Sequence, residues 1–180
     1  PEDAVVTGAY IDFTAYAASS ATQSAEFTIS GELGEGAAFT SDVAGFTNRA
    51  FTEPSAPVAT TKVAVRDVFR TGDIVDIVNQ MRAGNPAMTN YVFKLDGSGK
   101  GYFLARTYNY NPQYAPRLVL EYYSASGEYS AAVTERADDA EENGRSKAVT
   151  LDSQMQVGGY HSTSLTESEK QVSAFPLPAV

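Results

Sequence analysis

The chain has 180 residues, a formal net charge of −9 and no cysteine. This length suits one domain with a buried core. The acidity argues against a nucleic-acid partner, which needs clustered cations, and the lack of cysteine removes disulfide frameworks and thiol chemistry. Hydrophobic residues make up 43%, enough for a folded chain, and no apolar run approaches the roughly 20 residues of a membrane helix.

From the first residue the pattern is turn and strand rather than signal peptide, so a processed or excised product is expected. In "AVVTGAYIDFTAY" (4–16), Ala9, Ile11 and Phe13 alternate with Tyr10, Asp12 and Thr14, the period of a half-buried strand. "AEFTISGE" (25–32) places Phe27 and Ile29 inward. "TKVAVRDVF" (61–69) reads as the next strand. "TGDIVDIVNQMRAGNP" (71–86) then changes period, with Ile74, Ile77, Val78 and Met81 at helical spacing. Thr71 is its expected N-cap, Asp73 suits the first turn, and Gly84 and Pro86 end it. A helix of about 73–83 should cover one end of a sandwich.

"NYVFKLDG" (90–97), "GYFLARTY" (101–108) and "PRLVLEYY" (116–123) are three further strands. "DGSGKG" (96–101) lacks the spacing of a phosphate loop and reads as a glycine turn. "SASGEYSAA" (124–132) reads as a flexible linker. "KAVTLDSQMQVGG" (147–159), ambiguous near Ser153, and "EKQVSAF" (169–175) close the strand series. The fold class is all-β: an antiparallel two-sheet jelly-roll sandwich with one short capping helix. Residues 1–123 form the body, and 133–180 supply strands that complete this sandwich or that of a neighbouring copy.

Chemistry is sparse. His161 is the only histidine and lies in a polar stretch without a nucleophile elbow; it offers neither a triad nor a histidine metal site. No N-x-[ST] sequon is present. No pair of carboxylates can be assigned as a glycosidase acid and base, so no enzymatic role is expected. Asp138, Asp139, Glu141 and Glu142 fall within five residues, a density of hard oxygens that suits half of a calcium site; the alternative is a solvated acidic turn. Tyr108, Tyr110 and Tyr114 sit in an Asn/Pro/Gln-rich stretch. Such rings give flat faces with polar rims for stacking on sugars, or they pack the end of the sandwich.

Taken in order, "VVTGAYIDFTAYAASSATQSAEFTISGE", "AAFTSDVAGFTNRAFT", "GDIVDIVNQM" and "GYFLARTYNYNPQYAPRLVLEYY" resemble a family of secreted jelly-roll modules repeated in bacterial and archaeal surface proteins, related to disaggregatase and to carbohydrate-binding modules. The motif A-P-R-L-V-x-E-Y stands here as Ala115 to Tyr122. In that family a stretch similar to "ADDAEENGRSKAVTLDSQMQVGG", and then one similar to "QVSAFPLPAV", precede the "GAYIDF" strand. The resemblance therefore implies a domain cut open at one turn, its first quarter moved to the end, as in a circular permutant.

Joined, end and start read as one strand-turn-strand. Val172, Phe175, Leu177 and Val180 are accordingly expected to pair with the sheet of Ile11 and Phe13, within the chain or across copies. Across copies, such a contact does not close and grows a fibre. The expected role is structural: a subunit or repeat of an extracellular filament, surface layer or adhesin. The alternative is a carbohydrate-binding module with a glycan partner.

Overall fold

The computed structural model describes residues 4–18, 24–36, 48–55, 57–60, 63–98, 101–123, 128–132, 139–142, 149–150, 154–158 and 170–176. Twelve strands and one α-helix run through them: β1 (Val5–Thr14), β2 (Glu26–Gly31), β3 (Val58–Ala59), β4 (Val68–Arg70), α1 (Val75–Gly84), β5 (Asn90–Ser98), β6 (Tyr102–Arg106), β7 (Arg117–Tyr123), β8 (Glu128–Ala132), β9 (Asp139–Glu142), β10 (Val149–Thr150), β11 (Gln154–Gly158) and β12 (Lys170–Pro176). The described residues form an all-β antiparallel sandwich. One sheet runs β4-β1-β7-β8 and the other β10-β9-β12-β5-β2-β3. A β6–β11 pair is joined to the continuation of β1 by the Ala15–Ala105 bridge.

Alternation along β1 and β2 builds the core. Ile11, Phe13, Phe27 and Ile29 are fully buried, as are Tyr91 and Phe93 of β5. Phe69 lies edge-on to Phe27 at 6.2 Å and is tilted against Phe103 at 5.7 Å, so the two sheets and β6 share one aromatic seam. In β1 both Val6 and Ala9 are buried, an odd spacing that a flat strand cannot bring to one face. An irregularity in the β1–β7 register between Val6 and Gly8 resolves it.

The helix covers one end of the sandwich, with Ile77, Val78 and Met81 buried. A Cβ on Gly31 would meet Met81 Sδ at 2.2 Å, so β2 approaches the helix closely enough that any larger residue would have to displace the Met81 side chain. Thr71 does not cap it. The N-cap position is Ile74, which makes no side-chain cap bond; one residue earlier Asp73 Oδ1 accepts from Val75 N at 2.9 Å, while Thr71 lies against β1. Gly84 is the last helical residue rather than the one beyond, and Asn85 N donates to Arg82 O.

Two further expectations change. Of the strand expected over 61–69, residues 64–67 form a turn and Val68 starts β4: Arg66 adopts a left-handed conformation (φ 73°) and Asp67 Oδ2 accepts from Ala64 N to close the turn. Within the expected linker, residues 128–132 form β8, paired antiparallel with β7 from Glu121–Glu128 to Arg117–Ala132. Only four residues separate the two strands, a hairpin spacing.

Candidate functional site: a tyrosine–arginine cluster and the flank of β5

β6 ends in Arg106, which is 3% exposed. Its Nε donates to Ala15 O at 3.4 Å. The guanidinium carbon lies 4.0 Å from the ring centre of Tyr110, 5.1 Å from that of Tyr114 and 5.7 Å from that of Tyr16. These are cation–π distances, and they compensate a desolvated charge that is otherwise costly to bury. Local hydrogen bonds set the rings in place: Tyr110 N and Asn111 N donate to Thr107 O, and Asn111 Oδ1 accepts from Gln113 N to start a 3₁₀ turn over Pro112–Tyr114. Tyr16 packs at right angles to Tyr110, 5.4 Å between centres.

Of the three tyrosines singled out in the sequence, Tyr110 and Tyr114 thus share one cluster. Tyr108 packs against the hydrophobic core instead. Tyr110, at 44% exposed, is the ring of the cluster open to a ligand. Arg106 and Tyr16 were not anticipated. The signal available was a lone arginine at the end of an apolar strand, two residues before the first of three tyrosines.

Part of the acidic segment is a strand. Asp139, Glu141 and Glu142 stand in β9, between β12 and β10; Asp138 lies outside the described residues.

The largest departure concerns β12. It pairs along its whole length with β5, from Lys170–Asp96 through Val172–Lys94 to Phe175–Tyr91 and Pro176–Asn90, and on its other side with β9. It does not join the sheet of Ile11 and Phe13. Both flanks of β1 are already occupied: β4 and the segment following it on one side, β7 on the other. Leu177, Val180 and His161 lie outside the described residues.

Those flanks are closed in an unusual way. Thr71 N donates to Ile11 O at 3.0 Å, and Ile11 N returns a bond to Thr71 Oγ1 at 2.9 Å. Next along, Ile74 N donates to Ala9 O and Ala9 N to Asp73 Oδ1. The outer flank of β2 repeats the device: Thr52 exchanges two bonds with Gly31, Ser55 with Ile29 and Thr60 with Ala25, each giving its N–H to a carbonyl and taking an N–H on its side-chain oxygen. Side-chain oxygens here stand in for strand carbonyls. Pro54 and Pro57 lie in the same segment and have no N–H to offer a further strand.

At the start of β5, the Glu35 carboxylate accepts from Thr89 N, Thr89 Oγ1, Asn90 N, Asn90 Nδ2 and Asn85 Nδ2. Burial pushes its pKa up, but the bonds from Thr89 and Asn90 outweigh this and hold it below the ordinary value. Glu32, three residues earlier, goes the other way: burial pushes it up, and the Arg49 ion pair at 2.7 Å only partly offsets that. At the far end of β5, Asp96 Oδ2 pairs with Lys94 Nζ at 2.8 Å, while Asp96 Oδ1 is buried with no hydrogen-bond partner among the described residues.

Fold and sites together define an antiparallel β-sandwich. Among the described residues, no three His, Asp or Glu side chains converge as a metal site, and no helix is long and apolar enough to cross a membrane. Comparison with family models, characterised proteins and solved structures gave no match.

Proposed function

We propose that the chain is a structural module of an extracellular filament, surface layer or adhesin, built from copies of itself by exchange of the β12 strand. The observation that carries this reading is the position of β12. Residues 4–123 supply the whole aromatic seam, yet the flank of β5, the strand of Tyr91, Phe93 and Leu95, is filled by a strand whose paired residues lie 74 to 86 positions further along. A strand so remote in sequence can come from its own chain or a neighbour's with the same pairing. The closed flanks of β1 and β2 support the reading, because they direct strand addition to β5.

The test uses the absence of native cysteine. Val92 and Ala174 stand directly opposite each other, a spacing that accepts a disulfide. In the Val92→Cys/Ala174→Cys chain, exchange should give a ladder of covalent multimers on a non-reducing gel. A single monomer band at every protein concentration overturns assembly by exchange.

A glycan-binding role is the second reading, favoured by Tyr110, exposed and braced on Arg106. Tyr110→Ala should then weaken binding by about 1 kcal/mol, and a glycan array without hits removes it.

A further inference from the structure

We propose that Asp96 sets the register of the strand laid along β5, by pairing with the positive charge the sequence carries at position 170. Three observations meet here. Asp96 is the last β5 residue paired with β12, and its partner across the ladder is Lys170. One Asp96 oxygen is engaged by Lys94, while the other is buried with no hydrogen-bond partner among the described residues. An unsatisfied buried carboxylate oxygen is costly, so this atom favours an arrangement that brings a donor to it. On the opposite side of Asp96, β2 presents Thr28, which brings no cation.

The need for a register device follows from the strand itself. "KQVSAFP" carries small and apolar residues along its length; a slip of one residue turns every side chain to the other face and is opposed by the pattern, whereas a slip of two keeps the faces and needs a further device to oppose it. Lys170 is the only charged residue in β12. A slip of two residues would put Val172 opposite Asp96, leaving the buried oxygen against an apolar residue. A slip of one would put Gln171 there, offering a neutral amide in place of a cation. The lock acts alike on a chain's own β12 and on a neighbour's, so it stands apart from the proposed assembly.

The experiment uses full-length chains. Asp96→Lys and Lys170→Asp should each lower Tm by about 3 °C or more, and the double reversal in one chain should restore at least half of the loss. Single reversals that leave Tm unchanged, or a double reversal no better than the worse single, overturn the inference. Should Asp96→Lys fail to fold, Asp96→Asn takes its place, with register as the readout. Val92→Cys/Pro176→Cys can form an intrachain or interchain disulfide only when β12 has slipped by two residues in the direction that sets Val172 opposite Asp96. Its yield should rise at least threefold in the Asp96→Asn background; an unchanged yield means that Asp96 does not set the register.

Mixing separates this inference from the assembly. Asp96→Lys and Lys170→Asp chains, unfolded together and refolded, recover Tm and form mixed oligomers only if strands pass between chains. Rescue by the double reversal without rescue on mixing keeps the lock and overturns exchange.

Discussion

β1 and β5 are the spines of the two sheets, and they are built differently. β1 is enclosed by parts of the chain that precede residue 124: β7 along one side, and β4 with Thr71, Asp73 and Ile74 along the other. β5 has β2 on one side, but its other side depends on β12. The burial of the two spines is equal, since Ile11 and Phe13 are as inaccessible as Tyr91 and Phe93. The difference lies in who completes them. A spine closed by its own neighbourhood is committed on folding; a spine closed by a distant strand leaves a choice of partner open.

The largest effect should come from the close approach just beyond the paired ends of β5 and β2. Gly101 N-terminal to β6 leaves no room: a Cβ there would sit 2.0 Å from the backbone oxygen of Ser24. Gly101→Ala should cost about 3 kcal/mol or more, read by urea unfolding, because a backbone atom cannot turn away as a side chain can. Deleting residues 169–180 should strike the β5 spine, and β9 beyond it, while leaving β1 closed. The truncated chain is expected to expose the β5 flank, lose its cooperative transition or aggregate. If it keeps full stability, β5 does not depend on β12 and the contrast collapses.

Thr71→Val sharpens the contrast from the β1 side. It leaves the buried Ile11 N–H without an acceptor and should cost about 1–3 kcal/mol, whereas Thr71→Ser should stay near the parent. Equal stability of the Val and Ser forms would mean that the side-chain oxygen does not close the flank.

The smallest effect is a pH dependence at the start of β5. Glu35 is held below its ordinary value of 4.5, so its contribution is complete above that value and disappears as the pH falls through the lowered one. Glu32 is raised above 4.5, so its contribution is present at acid pH and is lost as the pH rises through the raised value. Tm followed between pH 3 and 6 should therefore fall less steeply toward acid in Glu35→Gln and more steeply in Glu32→Gln. Parallel curves for both would place the acid response elsewhere.

Hydrophobic period makes the core visible in the sequence: Ile11, Phe13, Phe27, Ile29 and the helix face of Ile77, Val78 and Met81 are buried as their spacing predicts. The same signal misplaces β12, because alternation says that a residue is in a strand but not which strand lies beside it. The joined ends read as a hairpin with β1, yet pairing is decided by which flanks are vacant, and β1 has none. The flank-closing residues escape the pattern altogether. Thr52, Ser55, Thr60, Thr71 and Asp73 look like loop residues, since their role lies in one oxygen atom and not in hydrophobicity. Arg106 is hidden for a similar reason: a cation at the end of a strand reads as solvated until the tyrosines that enclose it are placed.

Those oxygen positions have a bearing on ancestry. Core residues can drift among Val, Ile, Leu and Phe while volume is kept, which erodes similarity between distant relatives. An oxygen that replaces a strand carbonyl has few substitutes: Ser and Thr exchange freely, Asp and Asn can serve, and the aliphatics cannot. The spacing of hydroxyls at 52, 55 and 60 and of Thr71 with Asp73, set against the N–H groups of Ala25, Ile29, Gly31, Ile11 and Ala9, is a fingerprint that should outlast the rest of the sequence. Kin of this chain are better sought by that polar signature than by overall resemblance.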